Sequence, residues 1–380
     1  MRVLIFHNQL WTHYKAGLFS EIASEFDKNK HLQDFLVVQI GLYEKSRSSL
    51  GTIDLSLHQY PYQVLFEKAL EDIRFWERAI KMLKAIKSHN PNIVNFTGYY
   101  DMASWFSILY CKVFGIKIIL SNESTKADQS RNFIKEFIKR LLIKRFDGYF
   151  CFGTKSAEYL ESLGADSQKI LVKNAAVVQN KIISKVYTES FPNRETEKLK
   201  LGLKPFNFIF VGRFVEVKNL FLLLNAFNQV KNKDWGLVLL GNGHLEESLK
   251  SNISTNKISG VKFIAPQVWN QIPSYLSISD VFVLPSKSET WGLVINEAMI
   301  CKMPIILSNQ CGCSIDLIEN GKNGFIFESD NQEDLTKKMN TITNANLEEF
   351  GKFSQEKIKK FDSENVAKKM YQAFEHFSLK

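Results

Sequence analysis

Residues 281–302 read VFVLPSKSETWGLVINEAMICK. An apolar, β-branched run (281–284) without polar alternation leads through a polar loop into a segment with helical spacing. A strand of that kind is buried on both faces, as in a parallel sheet covered by helices. The same unit recurs along the chain, with apolar runs at 3–6, 35–40, 93–96, 116–120, 149–152 and 170–172, then at 208–211, 237–240, 261–264, 305–307 and 325–327. Two sets of strands alternating with helices predict two α/β domains. Between them, 185–205 (KVYTESFPNRETEKLKLGLKP) is polar, carries Pro192 and Pro205, and has no strand pattern. The expected division is a first domain over 1–185, a linker over 186–205 and a second domain over 206–362. Val366, Met370, Tyr371, Phe374 and Phe377 then mark an amphipathic helix over 363–380 that packs on a domain surface.

A chain of 380 residues that is 45% hydrophobic and 13% aromatic is too apolar for disorder and too long for one small core. Its five cysteines are scattered with no CxxC pair, which points to neither a disulfide framework nor a structural zinc, and fits a reducing cytoplasm. MRVLIFHNQLW at the start lacks the apolar length of a secretory segment and reads as a first buried strand. The apolar stretch 102–120 is interrupted by Lys112 and Lys117 and divided by Gly115, so it reads as helix, turn and strand, and not as a membrane span. Net charge is +9, and residues 1–190 hold 26 of the 49 basic against 19 of the 40 acidic side chains. The basicity of that half favours a polyanionic partner: a phosphorylated substrate, an anionic membrane or a nucleic acid.

Glu289 and Glu297 stand eight positions apart in the opening stretch. Read as one helix, eight residues advance about 12 Å and turn about 80° past two full turns. Glu289 then sits at the helix mouth and Glu297 two turns inside. The amides of Thr290, Trp291, Gly292 and Leu293, with the positive end of the helix dipole, make an anion site there. The alternative is structural: Ser286-Lys-Ser-Glu289 is also a capping-box sequence, and Glu297 suits a solvated helix face. Upstream, 208–219 (FIFVGRFVEVKN) ends a strand at Gly212 and sets Arg213 and Lys218 in one loop. Two cations at the carboxyl edge of a parallel sheet can neutralise a diphosphate, or can be no more than a solvated turn. Gly241-Asn242-Gly243 closes a third strand in a tight turn and lacks the third glycine of a dinucleotide fingerprint.

The order of these pieces resembles a family. Gly212-Arg213 with Lys218, Gly241-Asn242-Gly243, Glu289 with Glu297, 301–306 (CKMPII) and 320–325 (NGKNGF) strongly resemble the retaining GT-B glycosyltransferases of family 4. That resemblance implies two Rossmann-like domains with parallel sheets facing a central cleft, the last helix crossing back to the first domain. It implies that Arg213 and Lys218 hold the diphosphate of a nucleotide sugar with help from the 290–293 amides. Glu289 then meets the donor sugar, Glu297 binds ribose hydroxyls, and the base lies against the loop around Pro266 to Val268. It also implies transfer with retention, by same-face attack in which the departing phosphate accepts the acceptor's proton. No D-x-D triplet occurs, so neither a metal nor another cofactor is implied beyond the nucleotide sugar itself.

On the first-domain side, the loop after the first strand has one late glycine, Gly17, where family members are glycine-rich. Asn122 or Glu123 stands where they commonly place a histidine. Residues 312–316 (GCSID) carry Cys313 and Asp316 in a G-G-x-x-E position. The segment 131–146 (RNFIKEFIKRLLIKRF) has six cations, one acid and an apolar stripe at helical spacing. It suits either a helix covering the sheet or a peripheral contact with an anionic membrane, as a cytoplasmic enzyme extending a lipid-linked or cell-surface glycan would use. Nucleic-acid recognition has no motif here. The reading is a hexosyl-type transferase. The other readings are a nucleotide-sugar epimerase of the same architecture and a non-enzymatic binder of anionic surfaces.

Overall fold

The apolar runs become strands, with ends that agree to within three residues. The computed structural model describes residues 1–29, 34–45, 53–98, 101–126 and 133–378. One sheet comprises β1 (Arg2–Gln9), β2 (Asp34–Gly41), β3 (Tyr62–Val64), β4 (Ile93–Phe96), β5 (Lys117–Asn122), β6 (Gly148–Cys151) and β7 (Ile170–Val172). The other comprises β8 (Phe206–Val211), β9 (Trp235–Leu240), β10 (Val261–Ile264), β11 (Val281–Leu284), β12 (Ile305–Ser308) and β13 (Gly324–Phe327). Every pairing is parallel. The orders are β3-β2-β1-β4-β5-β6-β7 and β10-β9-β8-β11-β12-β13. Both are doubly wound, and each reverses direction beside its own first strand, at β1/β4 and β8/β11. Such a reversal leaves a crevice at the carboxyl ends of the two strands. The strand missed by pattern is β3, a three-residue edge strand with no buried side chain.

The chain divides into two compact units, Met1–Gln179 with Lys360–Lys380, and Asn180–Lys359. The segment read as a linker is helical and belongs to the second unit. It forms helices Asn180–Ser190 and Arg194–Leu201, joined by the short turn Phe191–Asn193. Asp280 fastens it: its carboxylate meets Arg194 Nη2 at 2.6 Å and Lys198 Nζ at 3.6 Å and accepts from the Asn207 amide at 2.8 Å. The polar residues that suggested a linker lie mostly on the outer faces of these helices.

The final helix, Ser363–Ser378, packs on helix His13–Lys28 of the first unit. Tyr371 meets Phe26 edge-on at 5.1 Å, and Phe374 does the same to Phe150 at 5.7 Å. The 102–120 stretch is helix Met102–Val113, a turn through Gly115 and β5. No helix among the described residues is long and apolar enough to cross a membrane. All five cysteines are free and buried. Phe374→Ala empties a site 0% exposed, and is expected to cost the first unit about 3–5 kcal/mol, seen as a lower urea midpoint. An unchanged midpoint would mean that the helix is not part of that core.

Candidate active site

In the second unit, β8 and β11 are neighbours, and the loops leaving their carboxyl ends are tied together. Gly212 and Arg213 follow β8, and a short helical turn, Glu216–Lys218, follows them. The loop after β11 lies alongside: Lys287 N donates to Val217 O at 2.8 Å, and Lys218 Nζ is ion-paired with the Glu289 carboxylate. Arg213 is exposed and has no carboxylate partner among the described residues. Gly241-Asn242-Gly243 packs on this loop: Gly212 N donates to Leu240 O at 3.0 Å and Phe214 N to Asn242 O at 2.6 Å. Pro266 and Val268 are exposed beyond the end of β10. All these residues lie along one edge of the sheet.

The two glutamates do not share a helix. The helix begins at Leu293, capped by Gly292 at φ 91°, a left-handed conformation that favours glycine and stops the helix from running back toward Glu289. Glu289 therefore sits in the loop. Its carbonyl accepts from Gly312 N at 2.8 Å, and it bridges to Cys311 in parallel fashion. A Cβ at Gly312 would lie 1.7 Å from Thr290 O, so only glycine allows this approach. Within the 312–316 pattern, the first glycine thus holds the Glu289 backbone. Ser286 lies too far before the helix to cap it, so the capping-box reading falls. Trp291 is buried and donates from Nε1 to Asn296 Oδ1 at 2.8 Å, stapling loop to helix. Glu297 lies in the helix, buried, with no hydrogen-bond partner for its carboxylate among the described residues. Burial raises its pKa to about 8.

This arrangement offers two cations, a carboxylate and a helix amino end at one crevice, with a second carboxylate buried nearby in sequence. Among the described residues, no three His, Cys, Asp or Glu side chains cluster as metal ligands.

Residues 193–360 match the family of glycosyl transferases group 1. This segment is a group 1 glycosyltransferase domain. Over 213 residues the chain is 30% identical to an Escherichia coli UDP-Gal:alpha-D-GlcNAc-diphosphoundecaprenol alpha-1,3-galactosyltransferase, covering 54% of this chain and 53% of that one. Over 336 residues it is 26% identical to the Campylobacter jejuni N,N'-diacetylbacillosaminyl-diphospho-undecaprenol alpha-1,3-N-acetylgalactosaminyltransferase, covering 84% and 80%. The chain spans about half the length of several curated relatives that it matches. Anabaena HepE, solved in complex with UDP, superposes with a TM-score of 0.76 over 99% of this chain and 100% of that one, at 16% identity. The fold is GT-B, with a Rossmann-like sheet in each unit.

The second unit holds the cations, both glutamates and the predicted loop residues from Gly212 to Leu293; the first unit holds Gly17, Asn122 and Glu123. Asn122 is buried and donates to Ser124 O at 2.9 Å and Ser156 Oγ at 2.8 Å, so its amide hydrogens serve the fold. Gly17 lies beneath the Gln179 side chain, which donates to His13 O at 2.6 Å. Glu123 is part-exposed and ion-paired with Lys15 Nζ at 2.8 Å. Lys15 is buried on the apolar stripe of its helix with Phe19, Ile22 and Phe26. A charge on that stripe was the signal that sequence reading passed over. Beside it, His7 is bonded through Nδ1 to Gln39 Oε1 at 2.9 Å, and burial together with Lys15 lowers its pKa to about 4.

Glu297 makes a testable contribution to stability. Its pKa is raised in the folded state from 4.5 to about 8, so the folded protein holds this proton more tightly than the unfolded chain. Stability therefore falls as pH rises through that window. Glu297→Gln removes the loss, and without nucleotide the variant should gain on wild type by on the order of 4 kcal/mol across it, measured by urea melts. Parallel stability curves for the two proteins would contradict this.

Proposed function

We propose that this chain is a retaining, hexosyl-type glycosyltransferase that moves a sugar from a nucleotide-diphosphate sugar to a hydroxyl of a lipid-linked glycan precursor, at the cytoplasmic face of a membrane. The observation that carries it is the crevice between β8 and β11, where the Lys218–Glu289 pair adjoins Arg213 in a group 1 domain. The lipid-linked acceptor is supported by the two bacterial relatives, whose names both give diphosphate-linked undecaprenol acceptors. The nucleotide diphosphate is supported by the UDP bound to HepE.

In this reading Arg213 and Lys218 bind the donor's diphosphate and offset the charge that develops on it as the glycosidic bond breaks. The amino end of the helix at Gly292 adds its dipole. The diphosphate draws Lys218 away from Glu289, whose carboxylate then accepts from a hydroxyl of the donor sugar. Glu297 accepts from the ribose diol, and those bonds favour its ionised form, so nucleotide binding releases a proton near neutral pH. The departing phosphate takes the acceptor hydroxyl's proton while that oxygen attacks from the same face, which keeps the anomeric configuration. No step requires a metal.

Arg213→Ala should lower transfer about a hundredfold, equivalent to ~3 kcal/mol of transition-state stabilisation, and Glu289→Ala and Glu297→Ala should also lose transfer. The check is a phosphorus and proton NMR time course on UDP-, GDP- and ADP-sugars with membrane lipid extract. Nucleotide release accelerated by the extract, with the product anomer matching the donor's, supports the reading. Full activity in all three variants would sink it, and an intact donor whose sugar changes configuration would mean an epimerase.

A further inference from the structure

Helix Met102–Val113 lies on the sheet of the first unit with its inner face buried through Ala103, Ser104, Ser107, Ile108 and Cys111. Its exposed residues are Met102, Phe106, Leu109 and Val113, which are 53%, 41%, 57% and 71% exposed and spaced as one stripe, and Phe114 extends it at 64%. The remaining charge on this helix, Lys112, is turned to Asp147 at 2.8 Å. A surface helix ordinarily shows water its polar face; this one shows an apolar face. The neighbouring helix Phe75–His89 widens the stripe with Trp76 and Ile80, 64% and 52% exposed. The Trp76 and Phe106 rings lie 5.8 Å apart. Large apolar residues exposed in the second unit, such as Leu199, Val217 and Phe353, are scattered over separate elements.

The rim is basic. Lys84 and Lys87 are exposed on the Trp76 helix, and Lys87 Nζ stands 5.5 Å from the ring of Tyr110, on the stripe helix. Glu77, the acid beside Trp76, is paired with Lys68. The helix read from 131–146 runs from Phe133 to Ile143, and Arg131 and Asn132 lie outside the described residues. Ile143 and Phe146 share one core with residues of the other two helices, as successive right-handed crossovers on one sheet face require. Phe137 and Leu141 are exposed there, 56% and 50%, with Arg140, Lys144 and Arg145. One of its cations does not face outward: Lys139 is buried, donating to Tyr159 Oη at 3.0 Å.

We propose that this face, centred on helix Met102–Val113, is where the first unit inserts into the headgroup layer of an anionic lipid bilayer. Apolar and aromatic side chains enter the acyl boundary while the basic rim meets lipid phosphates. Charge selects this occupant over a second copy of the chain, which would bring a like basic rim against this one. The inference deepens the lipid-linked acceptor reading and rests on it for its purpose, while its residues lie outside the candidate active site.

The full chain is sedimented with vesicles of phosphatidylglycerol and phosphatidylethanolamine, and with phosphatidylcholine alone, without donor or acceptor. Wild type should pellet with the anionic vesicles and be released by salt. The exposed-face variant Leu109→Glu/Val113→Glu should lose at least tenfold in vesicle affinity, and Lys84→Glu/Lys87→Glu should bind weakly at low salt. Nucleotide affinity should be unchanged in both, which also shows that they fold. Wild type left in the supernatant, or variants that pellet equally, would overturn the inference. So would a wild-type dimer that the first variant breaks without any vesicle binding. Failure here with nucleotide release intact leaves the transfer reading standing; vesicle binding without nucleotide release overturns the transfer reading and keeps this surface.

Discussion

The contact on which the site depends is the one between Lys218 and Glu289, made across the β8/β11 reversal. It joins two loops that leave different strands, and it is backed by main-chain bonds, from Lys287 to Val217 on one side and from Gly312 to Glu289 on the other. Glu289 is thus fixed by its backbone while its side chain keeps a partner that a stronger anion can take. In the proposed reading a diphosphate presents more charge to Lys218 than one carboxylate does, and exposed Arg213 adds a second anchor. The pair is then a placeholder for the ligand, holding both groups near their proposed working positions until a diphosphate separates them.

Two features are costly for stability, and the proposed ligands account for both. Glu297 is a buried carboxylate without a partner among the described residues, so its ionised form is disfavoured, and the proposed ribose diol would supply the missing donors. The apolar face of helix Met102–Val113 leaves large side chains in water. In contrast, Asp280 and Asn122 are buried polar groups fully engaged by neighbours, and their purpose is structural.

Much of the fold was legible because both sheets are parallel and doubly covered, so their strands appear as unbroken apolar runs. β3 escaped because a short edge strand buries nothing. The 180–201 helices escaped because polarity on an outer helix face resembles polarity in a linker when Asp280, eighty residues away, is not yet seen as their anchor. At the candidate site, the sheet edge to which the loops of Arg213, Lys218 and Glu289 belong was readable from the strand ends. The local geometry was not: spacing alone could not reveal that Gly292 starts the helix after Glu289. Nor could it reveal that Gly312 secures the loop, since that approach joins residues distant in sequence. Lys15 was visible as a charge on an apolar stripe, but its partner Glu123 lies on another element.

The most direct test is the structure of this protein with a nucleoside diphosphate bound. The account predicts the diphosphate at the carboxyl ends of β8 and β11, on Arg213 and Lys218, the ribose on Glu297, and Lys218 parted from Glu289. A diphosphate held elsewhere, with the Lys218–Glu289 pair intact, would contradict it.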